Sequence, residues 1–451
     1  MTHKQTISIL AACFFTVAAA SAQPFELIDS GAAAPDFREQ FLASYGVNPA
    51  IEPKLRQEDR PLFERIEPDL RSNPREAIRI AAAEIDEETN PAFHFLLGNL
   101  YYQTGQLNRS ERALKQAVSK FPSFRRAYRT LGLIYIQSER FEEAIGAWLK
   151  VITLGGGDAQ SYGLLAYAYL TQEKYRSALS AYEKARMFKP ESTDFRRGQA
   201  QCLLQTGQLK QAAALFDELI AEDPAVTDYW LLQANAYLGL ERYGDAMANL
   251  EILAGRGQTT RQSDILLGDL YLRDENHQLA VKAYQAALRR HGVAEIAEAL
   301  RPLDYLVNRG LYDEAEAYLE TLRTVLPTEL DPDVRARLTV AEAGILLEQG
   351  EAAAVVDRLQ PLVEAQPLAA DALLLLGEAH QRLEAYEEAE FVLQRVRSIP
   401  GEKVEGLVAL GRLEVQRGDF EAALEHLRAA RELAPARPGL ARYIESVEKA
   451  R

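Results

Sequence analysis

Apolar residues return along most of this chain at spacings of three and four, the pattern of helices with one apolar face. The pattern breaks at glycine or polar residues such as Gly105, Gly207, Gly310, Gly350 and Gly418, so the helices are predicted to come in pairs joined by a tight turn. The pairs recur with a period of 34 residues. Units begin at Pro91, Arg125, Ala159, Thr193, Thr227 and Arg261 without a slip. One extra residue puts the seventh at Ile296. Six more, Leu330 to Arg335, precede the eighth at Ala336, and strict spacing resumes at Ala370 and Val404. A period of this length means one supersecondary unit stacked many times.

Fixed positions inside the unit explain how it packs. Position 8 reads Gly98, Gly132, Ala166, Ala200, Ala234, Gly268, Leu303, Ala343, Gly377 and Gly411. Position 20 is alanine in eight units, with Ser110 and Val355 as the exceptions. Two helices approach closely only where a side chain is missing, and overfilling such a crossing costs roughly 1–3 kcal/mol. Position 24 carries a large apolar residue. Prolines at position 32 (Pro122, Pro190, Pro224, Pro327, Pro367 and Pro435) should end each second helix.

These positions resemble the tetratricopeptide repeat, most clearly in the third unit. There Tyr162, Leu165, Ala166, Tyr169, Tyr175, Ala178, Tyr182, Ala185 and Pro190 fall on the family's signature places. The resemblance covers residues 91–437. It implies an all-α fold: an α-solenoid of about ten helix-turn-helix repeats in which the first helix of each pair lines a concave groove. A composition of 47% hydrophobic and 26% charged residues fits a folded protein. Length alone would suggest roughly three globular domains, but a solenoid grows in one dimension and needs only caps at its ends.

The rest of the chain divides accordingly. Residues 1–22 read as a signal peptide, with Lys4 before an apolar run from Ile7 to Ala20 and a small-x-small site that places cleavage after Ala22. Periplasmic or secreted localisation follows as the expectation. A lipid anchor at Cys13, within Leu10-Ala11-Ala12-Cys13, is the alternative, disfavoured by the very short core before it and the apolar residues after it. Residues 23–60 form an extended, proline-punctuated segment, either a tether or a strap lying along the solenoid. Residues 61–90 read as a degenerate capping helix pair with Ala77 and Ala81 to Ala83 on its small face. Six units occupy 91–295. An irregular unit and insert occupy 296–335, where Pro302 and Asp331-Pro332-Asp333 predict a weak joint. Three units fill 336–437, and 438–451 forms a C-terminal capping helix with Leu440, Tyr443, Ile444 and Val447 on one face.

Residues that do chemistry are scarce. After cleavage one cysteine remains, Cys202, read as a small core residue with no disulfide partner. His94, His277 and His380 sit where packing aromatics belong, and no His-Glu-x-x-His, Gly-x-Ser-x-Gly or P-loop occurs. Gly155-Gly156-Gly157-Asp158 falls at a helix end and reads as a stop rather than a phosphate cradle. The expectation is a non-enzymatic protein without cofactor or metal.

Charge locates the candidate binding surface. Residues 23–90 hold 15 acidic and 8 basic side chains, residues 91–226 hold 13 and 17, and residues 227–451 hold 38 and 25. The first four units are thus a basic stretch in an acidic protein with a net charge of −15, a poor candidate for nucleic acid. The resemblance implies ligand-facing places at positions 2, 5, 9 and 12 of each first helix. In the first four units these include Phe95, Asn99, Tyr102, Arg126, Arg129, Leu133, Tyr167, Arg197 and Gln201. Aromatic and arginine side chains suit a peptide, and arginines take carboxylates, so the expected partner is a protein or peptide of acidic character. The chaperone-type carboxylate clamp does not fit: of Phe95, Asn99, Thr130, Gln160 and Leu164, only Asn99 matches. The reading is an exported scaffold for an envelope assembly, secretion or transport complex. A polysaccharide-export scaffold or polymer binder and a structural homo-oligomer are the alternatives.

Overall fold

The computed structural model describes residues 50–451. The signal peptide, its cleavage after Ala22, Cys13 and most of the 23–60 segment lie outside the described residues. Among the described residues all regular structure is helical. The protein is an all-α solenoid, and it divides into two compact units between Gln258 and Thr259. That division does not fall in the 296–335 stretch.

The first unit opens with residues 50–56 in irregular conformation, a turn of 3-10 helix (Gln57–Asp59), and three short helices, α1 (Arg60–Ile66), α2 (Asp69–Ser72) and α3 (Pro74–Glu84). The expected capping pair is therefore broken in its first half. Pro68 disfavours helix at Glu67, and α1 stops at Ile66. Of the small residues assigned to its packing face, Ala77 and Ala81 are buried but Ala82 and Ala83 are exposed. Five helix pairs follow: α4 (Pro91–Gln103) with α5 (Leu107–Lys120), α6 (Arg125–Gln137) with α7 (Phe141–Thr153), α8 (Ala159–Thr171) with α9 (Tyr175–Phe188), α10 (Thr193–Gln205) with α11 (Leu209–Glu222), and α12 (Thr227–Gly239) with α13 (Tyr243–Gly255).

The second unit holds five more: α14 (Arg261–Arg273) with α15 (His277–His291), α16 (Ile296–Asn308) with α17 (Tyr312–Val325), α18 (Pro332–Glu348) with α19 (Ala352–Ala365), α20 (Ala370–Arg382) with α21 (Tyr386–Ser398), and α22 (Lys403–Arg417) with α23 (Phe420–Leu433). Helix α24 (Leu440–Ala450) caps it by laying Leu440, Ile444 and Val447 against α22 and α23.

The periodic positions do what their chemistry requires. Position 20 is fully buried in all ten pairs. Position 8 sits under the large residue at position 24: a Cβ added at Gly132 would lie 2.7 Å from the Trp148 ring, and one at Gly268 2.5 Å from Tyr284. The helix before each position-32 proline ends two residues earlier, at Lys120, Phe188, Glu222, Val325, Ala365 and Leu433. Position 15 is left-handed in every pair, with φ between 55° and 83°. The next amide then reaches back to the position-11 carbonyl at 2.8–2.9 Å, a Schellman closure repeated ten times.

Unit seven departs from this plan for a visible reason. Helix α16 runs through Pro302, and position 8 carries the buried Leu303. With that crossing filled, α16 packs on α17 less closely than its counterparts do, and α15 and α17 pack on each other. Tyr284 and Tyr318 meet edge to face at 6.1 Å, and the Tyr318 hydroxyl donates to the Ala299 carbonyl at 2.7 Å. The six-residue insert is not a loop. Asp331 accepts from the Asp333 amide as N-cap, Pro332 takes the first helical place, and α18 gains a turn.

Candidate functional site

Helices α4, α6, α8 and α10 carry the nine residues singled out by sequence. Three of them are not available to a ligand. Phe95 is 2% exposed, Leu133 3% and Asn99 8%. Helix α4 is buried without a break from Ala92 to Tyr101, as a helix apolar on every side must be. Asn99 is satisfied internally, accepting from the Thr130 hydroxyl at 3.1 Å. Phe95 packs tilted on Phe124 at 4.8 Å, with the Arg126 guanidinium over its ring at 5.0 Å. Phe95 and Arg126 are thus brought together by the fold.

The other arginines are largely answered from within. Arg129 pairs with Asp158 at 2.9 Å and with the Gln160 side chain, and Arg197 pairs with Asp194 at 3.3 Å on its own helix. Asp158 also caps α8 through the Ser161 amide, so the glycine cluster before it serves as a helix stop followed by a cap. Tyr102, Tyr167 and Gln201 are half-buried, and Tyr167 meets Phe141 edge to face at 6.0 Å. Cys202 is fully buried, and burial pushes its thiol up to about 12. Burial likewise lowers the imidazole of His94, which packs in the core of α4.

The described end of the 23–60 segment lies against this same region as a strap. The Ser123 hydroxyl donates to the Ala50 carbonyl at 2.7 Å, and the Arg125 amide, first in α6, donates to the Ile51 carbonyl at 3.4 Å. The Asn90 amide donates to the Lys54 carbonyl at 2.8 Å and to Asp59 Oδ2 at 2.7 Å. Between these anchors Glu52 is only 4% exposed and Pro53 is buried. Burial pushes the Glu52 carboxyl up to about 7, against the opposing pull of Arg126 and Arg125.

The second unit contains an open groove that sequence reasoning missed. It has a volume of about 740 Å³ and is lined by α20, α22 and α24, with Leu374, Glu378, Val408, Arg412 and Tyr443 on its walls. Leu374 and Glu378 occupy positions 5 and 9 of the ninth unit, and Val408 and Arg412 the same positions of the tenth. Arg382 is held by Glu378 and Glu348, and Arg437 by Glu405. Arg412 is exposed and has no ionic or hydrogen-bonding partner among the described residues. The register that pointed to the first four units marks this groove too.

No grouping of His, Cys, Asp or Glu among the described residues could hold a metal ion, and none of their helices is long and apolar enough to cross a membrane. Tetratricopeptide repeat models match residues 71–159, 231–301 and 340–403 in one form and 169–236 in another, together well over half of the chain. No curated protein matches it. Among solved structures it is similar to YrrB, described as a TPR protein with an unusual peptide-binding site. The two are 21% identical over 46% of this chain and 97% of that one, with a TM-score of 0.36. A tetratricopeptide repeat protein from Parabacteroides merdae is 16% identical over 58% of this chain and 100% of its own, with a TM-score of 0.34. The APC/C hetero-tetramer Cut9-Hcn1 is 14% identical over 87% and 96%, with a TM-score of 0.33. Likeness at this level carries no inference about ligands. The repeat models, the ten stacked pairs and their shared closures establish that the chain belongs to the tetratricopeptide repeat family.

Proposed function

We propose that this protein is an exported, non-enzymatic adaptor whose inner helices bind a segment of a partner protein. Its place is the cell envelope, where it serves an assembly, secretion or transport complex. The export part rests on the N-terminal sequence, and the adaptor part on the repeat, which is an interaction scaffold. The observation that carries the binding reading is the open groove of α20, α22 and α24, a volume of about 740 Å³ with one unanswered cation among mixed polar and apolar side chains. Arg412 beside the half-buried Leu374 and Tyr443 suits a peptide that brings one carboxylate next to an apolar side chain. Paired charges at the rim, Arg382 with Glu378 and Arg437 with Glu405, add little affinity but exclude mismatched partners.

The test is affinity capture from the envelope fraction with the full chain, beside Arg412→Glu and beside an Arg126→Glu, Arg129→Glu, Arg197→Glu variant. The expected result is one discrete protein held by the parent chain, lost with Arg412→Glu, retained by the triple variant and released by salt. Retention by Arg412→Glu with loss in the triple variant would return the site to α6 and α10. Capture of a polysaccharide in place of a protein would replace the adaptor reading with a polymer binder.

A further inference from the structure

We propose that the start of α6, with Arg125 and Arg126, is a docking surface for a short apolar–acidic–proline segment, and that Ile51-Glu52-Pro53 occupies it in cis as a displaceable stand-in. This goes beyond the α20–α24 groove and does not depend on it.

The strap is held as a bound peptide is held. Three of its carbonyls, those of Ala50, Ile51 and Lys54, accept hydrogen bonds from Ser123, the Arg125 amide and Asn90. Bonds to main-chain carbonyls hold a segment whatever its sequence, and the places its side chains enter then select it. Here Glu52 and Pro53 are buried, while Lys54 faces solvent. The first-turn amides of α6 and two guanidinium groups make the place where Glu52 sits electropositive.

The fit is nevertheless incomplete. Glu52 Oε2 is buried and has no hydrogen-bond partner among the described residues. A buried carboxylate oxygen without a donor is a cost to the docked state. The upward shift of its carboxyl agrees: removal from water outweighs what the two arginines return. A segment bound only to stabilise the fold would gain from an apolar residue here. An acidic one, badly satisfied in front of two arginines, is what remains when the surface is shaped for a carboxylate that another chain presents better. Tethering gives the strap a high effective concentration, so it holds the site until such a partner arrives.

The test uses a fluorescein-labelled peptide of residues 50–56 and the full chain, read by anisotropy. One variant, Ile51→Asp with Glu52→Ala and Pro53→Gly, releases the strap; a second adds Arg125→Ala and Arg126→Ala. Release should tighten peptide binding by about tenfold or more, because the tethered competitor is gone. The added arginine changes should abolish that gain. No gain on release, or a gain that survives loss of both arginines, overturns the proposal. Circular dichroism separates the remaining case: a released variant that loses helix and gains no binding shows the strap to be structural, which also overturns it.

Discussion

The two units are built from the same five-pair plan and differ in what their inner faces offer. Residues 91–258 keep the 34-residue spacing throughout and hold 19 basic against 17 acidic side chains. Residues 259–451 slip twice and hold 23 basic against 34 acidic. Judged by charge, the first should bind an acidic partner. Its arginines, however, are largely spent on neighbours: Arg129 on Asp158, Arg140 on Glu111, Arg196 on Glu222, Arg197 on Asp194. The acidic unit, by contrast, keeps Arg412 open in its groove. Local pairing, not net charge, decides which cation can meet a ligand.

The sharpest way to break the comparison is to damage each core separately. Trp148, fully buried under Gly132, should cost about 3–5 kcal/mol when changed to alanine, and the fully buried Leu376 about 2–5 kcal/mol. A solenoid couples only neighbours, so hydrogen exchange should rise within 50–258 for Trp148→Ala and within 259–451 for Leu376→Ala. A uniform loss of protection in either variant would mean that the two units unfold as one. In the parent chain, protection should also be lower across α16 than across α14 or α20, because Leu303 and Pro302 loosen that pair.

Legibility follows the same division. The crossing of positions 8 and 24, the buried position 20 and the helix stops before proline were all readable, because each is a local steric demand that recurs along the chain. Non-repeating contacts left no such trace. Burial of Phe95 and Asn99 follows from α4 being enclosed on all its faces, and the packing of the 50–56 strap has no period to announce it. The insert before unit eight did carry a signal: Asp331-Pro332 is an N-cap followed by a first-turn proline, and α18 starts there.

A second experiment isolates the strap through pH. Docking raises the Glu52 carboxyl from 4.5 to about 7, so the docked state prefers the neutral acid. The contact is then strongest below the ordinary carboxylate value and weakens as pH rises through about 7. The Arg125 amide donates to Ile51, so exchange of a peptide spanning Phe121–Arg125 reports docking. Corrected for intrinsic rate, its protection should fall between about pH 5 and 8 in the parent chain. In Glu52→Gln it should stay level; an equal fall in both would assign the effect to another group.

The smallest effect belongs to the one feature that the two units share. Every pair turns through a left-handed residue, glycine at 105, 207, 310, 350 and 418 and glutamate at 139, 173, 241, 275 and 384. Both sets are left-handed, with φ of 69–83° at the glycines and 55–59° at the glutamates, yet a side chain in this region costs roughly 1–2 kcal/mol that glycine avoids. Part of that gain is returned, because glycine also loses more freedom on folding. Glu173→Gly in the first unit and Glu384→Gly in the second should each stabilise by about 1 kcal/mol, and Gly207→Glu should destabilise by a similar amount. Thermal melts of the three variants check this. Nothing among the described residues ties Glu173 or Glu384 to a compensating partner, so equal gains are expected on both sides of Gln258. A gain in one unit alone would mean that the shared turn is held differently in the two, and that their likeness ends at the backbone.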